Sequence, residues 1–426
     1  MEMGRRFVFR LREVAPSSPF DYFAYAARWA VQLSGDRLPS FSIQRSPSAP
    51  IEGQAQPDRL RKVISMQIRE IPVDGYETVV IAQDPDSGLH AIIAVHDTTL
   101  GPALGGLRMW NYSSEEEALR DVLRLSKGMT YKSACADTGL GGGKAVIIGD
   151  QKTDKSEPLF RAMGRFVESL GGKYITAEDV GVGIRELEWL RQETTHVTGL
   201  SRKSGSSGNP SPFTARGVMR GLRACAEEAF GTSRLDNFHY AVQGLGHVGG
   251  DVVLGLSMLG AWISVTDLNE ERLEHFESLP GVNVVGMDEI YDVDCDFFVP
   301  SALGGILNDE TIPRLKAKVV AGCANNQLGE ARHGEMLAER GILYAPDYVI
   351  NAGGIINVAI EVGPGGYNER RAVEKIENIY RALKEIFATA RREGITPEEA
   401  ANQVAEARLS EAKAKNGAVP DTAPSQ

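Results

Sequence analysis

Phe238 to Gln243 reads as a buried strand, and it runs directly into Gly244-Leu245-Gly246-His247-Val248-Gly249, followed by an apolar helical stretch to about Leu259. Strand, glycine turn and helix in this order leave the backbone few alternatives. Gly244 permits the tight turn, Gly246 lets the backbone approach a pyrophosphate, and Gly249 lets the helix pack on the strand. The helix N-terminus, with the N–H groups of Leu245, His247 and Val248 around it, favours an anion. A second strand, Trp262 to Thr266, ends at Asp267, eighteen positions after Gly249. A carboxylate there accepts hydrogen bonds from ribose hydroxyls and repels a 2′-phosphate. The unit therefore predicts NAD rather than NADP, with Asn269 and Arg272 leaving a small opening for mixed use. Ordinary turns, with Asp267 merely capping the next helix, explain each piece but not their agreement.

One such unit does not fill the chain. At 426 residues the length exceeds the roughly 250–300 that one core usually serves, so two domains with a cleft between them are expected. No uninterrupted run of about 18 apolar residues appears, which predicts a soluble, cytoplasmic protein without a membrane span. A net charge of -11 argues against nucleic acid and anionic lipid, both of which reward basic surfaces. Small molecules are the expected partners. Cys135, Cys225, Cys295 and Cys323 are widely spaced and read as reduced thiols. The histidines show no HExxH or HxH pattern, so no metal is implied.

Residues 1–65 read as a poorly ordered leader, arginine-rich with a Ser46–Pro50 cluster (SPSAP). Glu2, Glu13, Asp21 and Asp36 weaken a transit-peptide reading, and a start nearer Met66 is an alternative. Residues 66–205 form a mixed α/β domain. Within it, Thr78–Ala82 and Ala91–His96 flank the turn-forming Asp84–Gly88 as a hairpin. Ser113 with Glu116 resembles a capping box, and Ala118, Val122 and Leu125 then recur at helical spacing. That helix delivers the chain to Gly128-Met129-Thr130-Tyr131-Lys132. Further strands are expected at Ala145–Ile148 and Tyr174–Thr176, with a helix over Leu159–Leu170 between them. The small and turn-forming residues of Ser204–Pro212 mark the boundary to a Rossmann-like domain over 206–360. Residues 361–412 are a helical segment, with Val373 to Ala390 as one long amphipathic helix and another opening at Thr396-Pro397. Residues 413–426 read as a frayed, disordered tail.

Leu140–Lys144 (LGGGK) fails as a phosphate-binding P-loop, because Thr138 and Ala145 stand where Gly and Ser/Thr are required. Three successive glycines instead suggest backbone close to a ligand, with Lys144 projecting into a confined site. Desolvation and a second cation nearby would lower its pKa and make a neutral amine available as a base.

The motifs HDTTLGPALGGLRMW, GMTYKSA, LGGGKAVIIGD, YITAEDVG, GSSGNPSP, SALGG and APDYVINAGGIINVA together resemble the Glu/Leu/Phe/Val dehydrogenases, and within them the leucine dehydrogenases most closely, from about Tyr76 to Ala407. The resemblance implies a catalytic and oligomerisation domain, an NAD domain, and a C-terminal return to the first. It implies a homo-oligomer, commonly an octamer. By motif, Lys132 matches the residue that binds the substrate α-carboxylate, Lys144 the catalytic lysine and Asp179 its acid/base partner. Gly105 and Gly106 match the lining of the substrate pocket, Thr214 a cofactor contact, and Asn326 an asparagine near the nicotinamide. The implied reaction is reversible: hydride passes from the amino acid to NAD, Lys144 promotes attack of water on the iminium, Asp179 moves protons, and ammonia leaves a 2-oxo acid.

Glutamate-specific relatives carry lysine immediately before the GG pair, where this chain has Leu104. An unpaired buried carboxylate is costly, so an apolar side chain is expected against Leu104, Ala177, Ile355 and Val358. Leucine, valine or isoleucine is the expected substrate. Ile355 stands where leucine-specific relatives usually have valine, and one methylene shifts preference by only about 1–3 kcal/mol. Phenylalanine or tryptophan is the alternative within the same family. The segment Ile360–Gly365 is longer and richer in glycine than usual there. A catalytically silent NAD-binding relative would need a broken catalytic set, whereas Lys132, Lys144 and Asp179 are all present.

Overall fold

The structure is a computed structural model that describes residues 66–417. The expected leader, 1–65, and the end of the chain beyond 417 lie outside the described residues.

The first domain is built on one mixed sheet. β1 (Gln67–Glu70), β2 (Thr78–Asp84) and β3 (Leu89–Asp97) are followed by β4 (Ala103–Trp110), α1 (Glu115–Cys135), β5 (Gly141–Ile148), α2 (Glu157–Glu168), β6 (Tyr174–Glu178) and α3 (Ile184–Arg191). Strand order is β1-β2-β3-β5-β4-β6. The expected hairpin is present, closed by Gly88 N–H donating to the Asp84 carbonyl at 2.9 Å. Both faces of the sheet are covered, which explains why its strands are apolar at consecutive positions. Val80, Ala82, Ile93, Leu107, Met109 and Ile147 face α2 and α3, while Val79, Ile81, Ile92 and Val146 face α1.

Helix α1 departs from expectation in two ways. Its N-cap is Ser114, one residue later than predicted: the Ser114 hydroxyl accepts from Glu117 N–H at 3.2 Å, while the Glu117 carboxylate accepts from Ser113 N–H at 2.7 Å. The Glu117 carboxylate thus reaches the residue before the cap rather than the cap itself, so the cap is one-sided instead of the reciprocal box expected, and it is shifted because Ser113 and Ser114 offer equivalent caps in sequence. The helix also continues through Lys132 to Cys135.

The second domain follows with α4 (Ser211–Phe230), β7 (His239–Gln243), α5 (His247–Met258), β8 (Trp262–Thr266), α6 (Glu270–Glu277), β9 (Val282–Val284), β10 (Phe297–Pro300), β11 (Val319–Val320), α7 (Arg332–Glu339) and β12 (Leu343–Tyr344). Its strands are all parallel, in the order β12-β11-β10-β7-β8-β9. Counted from β7, this is the 3-2-1-4-5-6 arrangement of a dinucleotide-binding sheet, whose crevice opens where the order reverses, between β7 and β10.

Five helices close the described chain: α8 (Asp347–Ile350), α9 (Gly353–Val362), α10 (Glu369–Ile376), α11 (Asn378–Glu393) and α12 (Pro397–Gly417). The boundary expected at 360 falls inside α9, whose uniformly buried apolar residues gave no stop signal. The single helix expected from Val373 is two, interrupted at Glu377, because the apolar spacing runs unbroken across the junction from Ile376 to Ile379. The tail expected from 413 is helical through 417, where Lys413 pairs with Asp97 at 3.0 Å. α12 lies along α1: Arg408 donates to the Ala134 and Cys135 carbonyls, each at 2.9 Å, placing a cation at the α1 C-terminus.

Candidate functional site

Strand alternation decides which side chains meet. In β4, Leu107 and Met109 face α2, so Leu104, Gly106 and Arg108 lie on the α1 side. In β5, Gly142 and Lys144 share that side with Val146. In β6, Tyr174 faces α2, which leaves Ala177 and, just past the strand, Asp179 on the α1 side. Register places Gly106 opposite Ala177, with Lys144 one residue before the Leu107–Ala145 pair.

Lys144 Nζ lies 2.9 Å from Asp179 Oδ2. Gly106 makes this possible, since a Cβ there would fall 2.8 Å from Asp179 Cβ and 2.7 Å from the Glu178 carbonyl oxygen. Lys144 is 5% exposed, so its charge relies on that carboxylate. Burial pushes the Asp179 carboxyl up, but Lys144 and Arg108 outweigh it and hold the group below its usual range.

Lys132 arrives from the last turns of α1. The helix sits directly on β5 because Gly142 has no side chain; a Cβ would overlap the Thr130 backbone nitrogen. Lys132 Nζ donates to Asn351 Oδ1 at 2.5 Å. Asn351 is held in turn, its Nδ2 donating to the Cys323 carbonyl at 3.1 Å and to Asn325 Oδ1 at 2.7 Å. Burial, reinforced by the Lys144 cation, brings the Lys132 amine down to about 8, with Asp347 and Asp179 opposing.

The glycines of LGGGK have a different reason from the one expected. They lie within β5 and admit protein: Gly142 admits α1, and a Cβ on Gly143 would fall 2.8 Å from the Tyr174 ring. Gly105 likewise belongs by alternation to the far side of the sheet, where a Cβ would overlap the Gly143 carbonyl; Gly106 alone of the pair adjoins the Lys144–Asp179 contact. Leu104, Ile355 and Val358 are buried and Ala177 is half-buried. Ile355 and Val358, three apart on α9, share one helix face.

The glycine turn behaves as its spacing predicts. Gly244 has φ 102°, and a Cβ there would press on Ala302 at 2.8 Å, while one on Gly249 would overlap the Gly244 carbonyl. Gly246 faces open space with nothing within 4 Å of a Cβ, the cradle a pyrophosphate needs. Leu245 is buried, Val248 half-buried and His247 exposed at the start of α5. Asp267 is not the cap of α6. Asn269 caps that helix by accepting from Arg272 N–H at 3.0 Å, and Asp267 accepts from Leu245 N–H at 2.6 Å. The acidic residue is thereby tied to the glycine turn, with the Arg272 guanidinium 3.8 Å away. These features fit a dinucleotide.

Thr214, in the first turn of α4, donates to the Pro210 carbonyl at 3.2 Å and lies against Gly354 of α9. Asn326 is exposed at φ 52°, and its Oδ1 accepts from Arg124 of α1 at 3.3 Å, a contact between the two domains. Four further residues escaped sequence reasoning: Arg108, Asn351, Asn325 and Glu361. Arg108 was reachable by counting two positions on from Gly106 along one strand face. Glu361 of α9 accepts from Ser206 Oγ at 2.6 Å and Ser207 N–H at 2.8 Å, fastening the interdomain segment where its composition had marked a boundary.

A mixed sheet bearing a buried lysine–aspartate pair, joined to a parallel sheet of dinucleotide-binding order, defines a two-domain α/β dehydrogenase. Family models agree: "Glu/Leu/Phe/Val dehydrogenase, dimerisation domain" matches residues 76–196, and "Glutamate/Leucine/Phenylalanine/Valine dehydrogenase" matches 263–417. The chain is 57% identical to a leucine dehydrogenase of Thermoactinomyces intermedius over 334 residues, 78% of this chain and 91% of that protein. It is 52% identical to a phenylalanine dehydrogenase of Bacillus thermotolerans over 339 residues, 78% of this chain and 88% of that one. The solved structure of L-tryptophan dehydrogenase from Nostoc punctiforme superposes with a TM-score of 0.71 at 45% identity, covering 80% of this chain and 97% of that one. The chain belongs to the Glu/Leu/Phe/Val dehydrogenase family.

Proposed function

We propose that the protein is an NAD-dependent amino-acid dehydrogenase that reversibly deaminates leucine, valine or isoleucine to the 2-oxo acid and ammonia. The observation that carries this reading is the Lys144–Asp179 contact of 2.9 Å on the sheet face that α1 and Lys132 cover. Lys132 holds the substrate α-carboxylate, exchanging its bond to Asn351 for an ionic one. Lys144 readies water for the substrate carbon and, when protonated, stabilises developing charge on oxygen; Asp179 accepts and returns protons. Gly244, Leu245, Gly246, His247, Val248 and Gly249 hold the pyrophosphate, Asp267 the ribose, and Thr214 and Asn326 the nicotinamide end. Bound there, NAD supplies the hydride acceptor.

Residues 66–205 serve catalysis and assembly of a cytoplasmic homo-oligomer, with an octamer as the form to test, and residues 206–360 bind NAD. Supporting the apolar substrate are Leu104, Ala177, Ile355 and Val358, which present no charge for a distal carboxylate. The phenylalanine- and tryptophan-specific relatives make an aromatic amino acid the second reading.

A panel of amino acids with NAD, followed by NADH absorbance, tests the proposal. Turnover of branched-chain substrates, lost in Lys144→Ala with NAD binding retained, is the expected result. Turnover of aromatic substrates alone selects the second reading. Intact NAD binding without turnover of any amino acid rejects the enzyme assignment and leaves a silent NAD-binding relative.

A further inference from the structure

We propose that Arg108 is a positioning residue that fixes the Asp179 carboxylate against Lys144 and is itself braced from behind by Asp121. The inference rests on the acid/base reading of Lys144 and Asp179 given above. Arg108 Nε donates to Asp179 Oδ2 at 3.1 Å, the same oxygen that Lys144 Nζ approaches at 2.9 Å. Two cations on one oxygen fix the carboxylate rotamer. Among the described residues no side chain donates to Oδ1, which stays available for proton traffic with water or substrate.

A guanidinium holds this pose only if its remaining donors are satisfied. Arg108 NH1 donates to Asp121 Oδ2 at 2.7 Å, and the Tyr112 hydroxyl donates to that same oxygen at 2.7 Å. Arg124 NH2 donates to Asp121 Oδ1 at 3.0 Å, so the bracing carboxylate is anchored through both oxygens. Arg108 and Asp121 are mostly buried, their side chains 21% and 16% exposed, which limits solvent screening of the pair. The planar fork matters: Nε and NH1 point in different directions from one rigid group, so a lysine would supply the charge without the bracing.

The groups that face Lys144 and Asp179, or act on them at a distance, are Arg108 from β4, Lys132 from α1, Tyr174 from β6 and Glu178 beside Asp179, while Asp121 of α1 faces Arg108 and Asp347 of α8 faces Lys132. Removing one cation from this set should stabilise the protonated form of every neighbouring amine, and removing one anion should do the reverse. Amine reactivity therefore reads the arrangement without any need for turnover.

The test is competitive acylation of Lys144 at fixed pH on the full chain, read by mass spectrometry, in the wild type, Arg108→Gln, Arg108→Lys and Asp121→Asn. Loss of the Arg108 cation leaves the Asp179 charge to Lys144 alone, so labelling in Arg108→Gln is expected to fall about tenfold. Asp121→Asn should raise labelling, and Arg108→Lys should restore it while kcat stays low and KM for the amino acid stays near wild type. Should Arg108→Gln fail to fold, the opposite-signed change in Asp121→Asn carries the test. Unchanged labelling in the folded variants, or changes of the same sign for loss of cation and of anion, would overturn the inference. A wild type that turns over no amino acid would overturn the proposed function instead, with the labelling still readable.

Discussion

Raising the pH through the Lys132 midpoint should weaken carboxylate binding and strengthen the fold at the same time. The amine is brought down to about 8 from an ordinary 10.5, chiefly by burial and secondarily by Lys144. A carboxylate without an amine, such as isocaproate, keeps constant charge over this range and isolates the lysine. If binding needs the ammonium, the apparent affinity scales with the protonated fraction, so the apparent Kd rises about tenfold between roughly pH 7 and 9, or ~1.4 kcal/mol. Stability moves the other way. Between the folded and unfolded values the unfolded chain binds more protons, so unfolding free energy rises with pH. The cost of burying the ammonium is fully present below about 8 and is relieved as pH climbs toward 10.5.

Calorimetric titration of isocaproate, with denaturant melts at the same pH values, measures both halves. Lys132→Met should bind weakly and flatly, and its stability relative to wild type should fall back by about 1–3 kcal/mol at alkaline pH once solvent screening is allowed for. Glu398 is also pushed up to about 8, by burial and by Asp347, so Glu398→Gln is the necessary control and should keep the wild-type binding profile. A flat Kd in the wild type, or a slope surviving in Lys132→Met, would refute the assignment of Lys132 to the carboxylate.

Gly246→Val adds a side chain into open space at φ -65°, where any residue sits without strain, so melting should be unchanged while NAD binding weakens at least about tenfold by titration. Gly142→Ala must displace α1 from Thr130; denaturant unfolding should show a loss of about 1–3 kcal/mol, and a neutral result would mean the helix has slack. Leu104→Lys places an amine at a position 2% exposed, and the ratio of glutamate to leucine kcat/KM should rise by about two orders of magnitude as a distal carboxylate gains a partner. A lower ratio would show that Leu104 does not face the substrate side chain.

What could be read in the sequence was local. The hairpin turn, the short apolar strand runs and the glycine turn with its acidic partner each follow from neighbours within one supersecondary unit, and each appears where its residues demand it. The caps and ends of helices were less legible because adjacent serines compete at 113–114 and because uninterrupted apolar spacing hides a break at Glu377. The assembly of the site was not legible at all from spacing. Lys132 and Asn351 are 219 positions apart and Arg108 and Asp179 are 71, and only the β4–β5–β6 register brings the second pair together. The GGGK glycines misled for the same reason, since a glycine that admits a neighbouring helix and one that admits a ligand look alike in one dimension.

Charge accounting in the cleft then argues for the kind of substrate. Lys144 is matched by Asp179, and Arg108 by Asp121 and Asp179. Lys132 alone of these cations is bonded directly to a neutral group, the Asn351 carbonyl oxygen, with Asp347 and Asp179 acting on it only at a distance. An amino acid brings one α-carboxylate to that amine and, through its own ammonium, leaves the net charge of the cleft unchanged. Glutamate would bring a second carboxylate toward Leu104, which has neither charge nor hydrogen-bond donor on its side chain. Desolvating that group without a partner is costly, so if Leu104 lines the substrate pocket as proposed, the discrimination against glutamate would come from the missing cation at position 104.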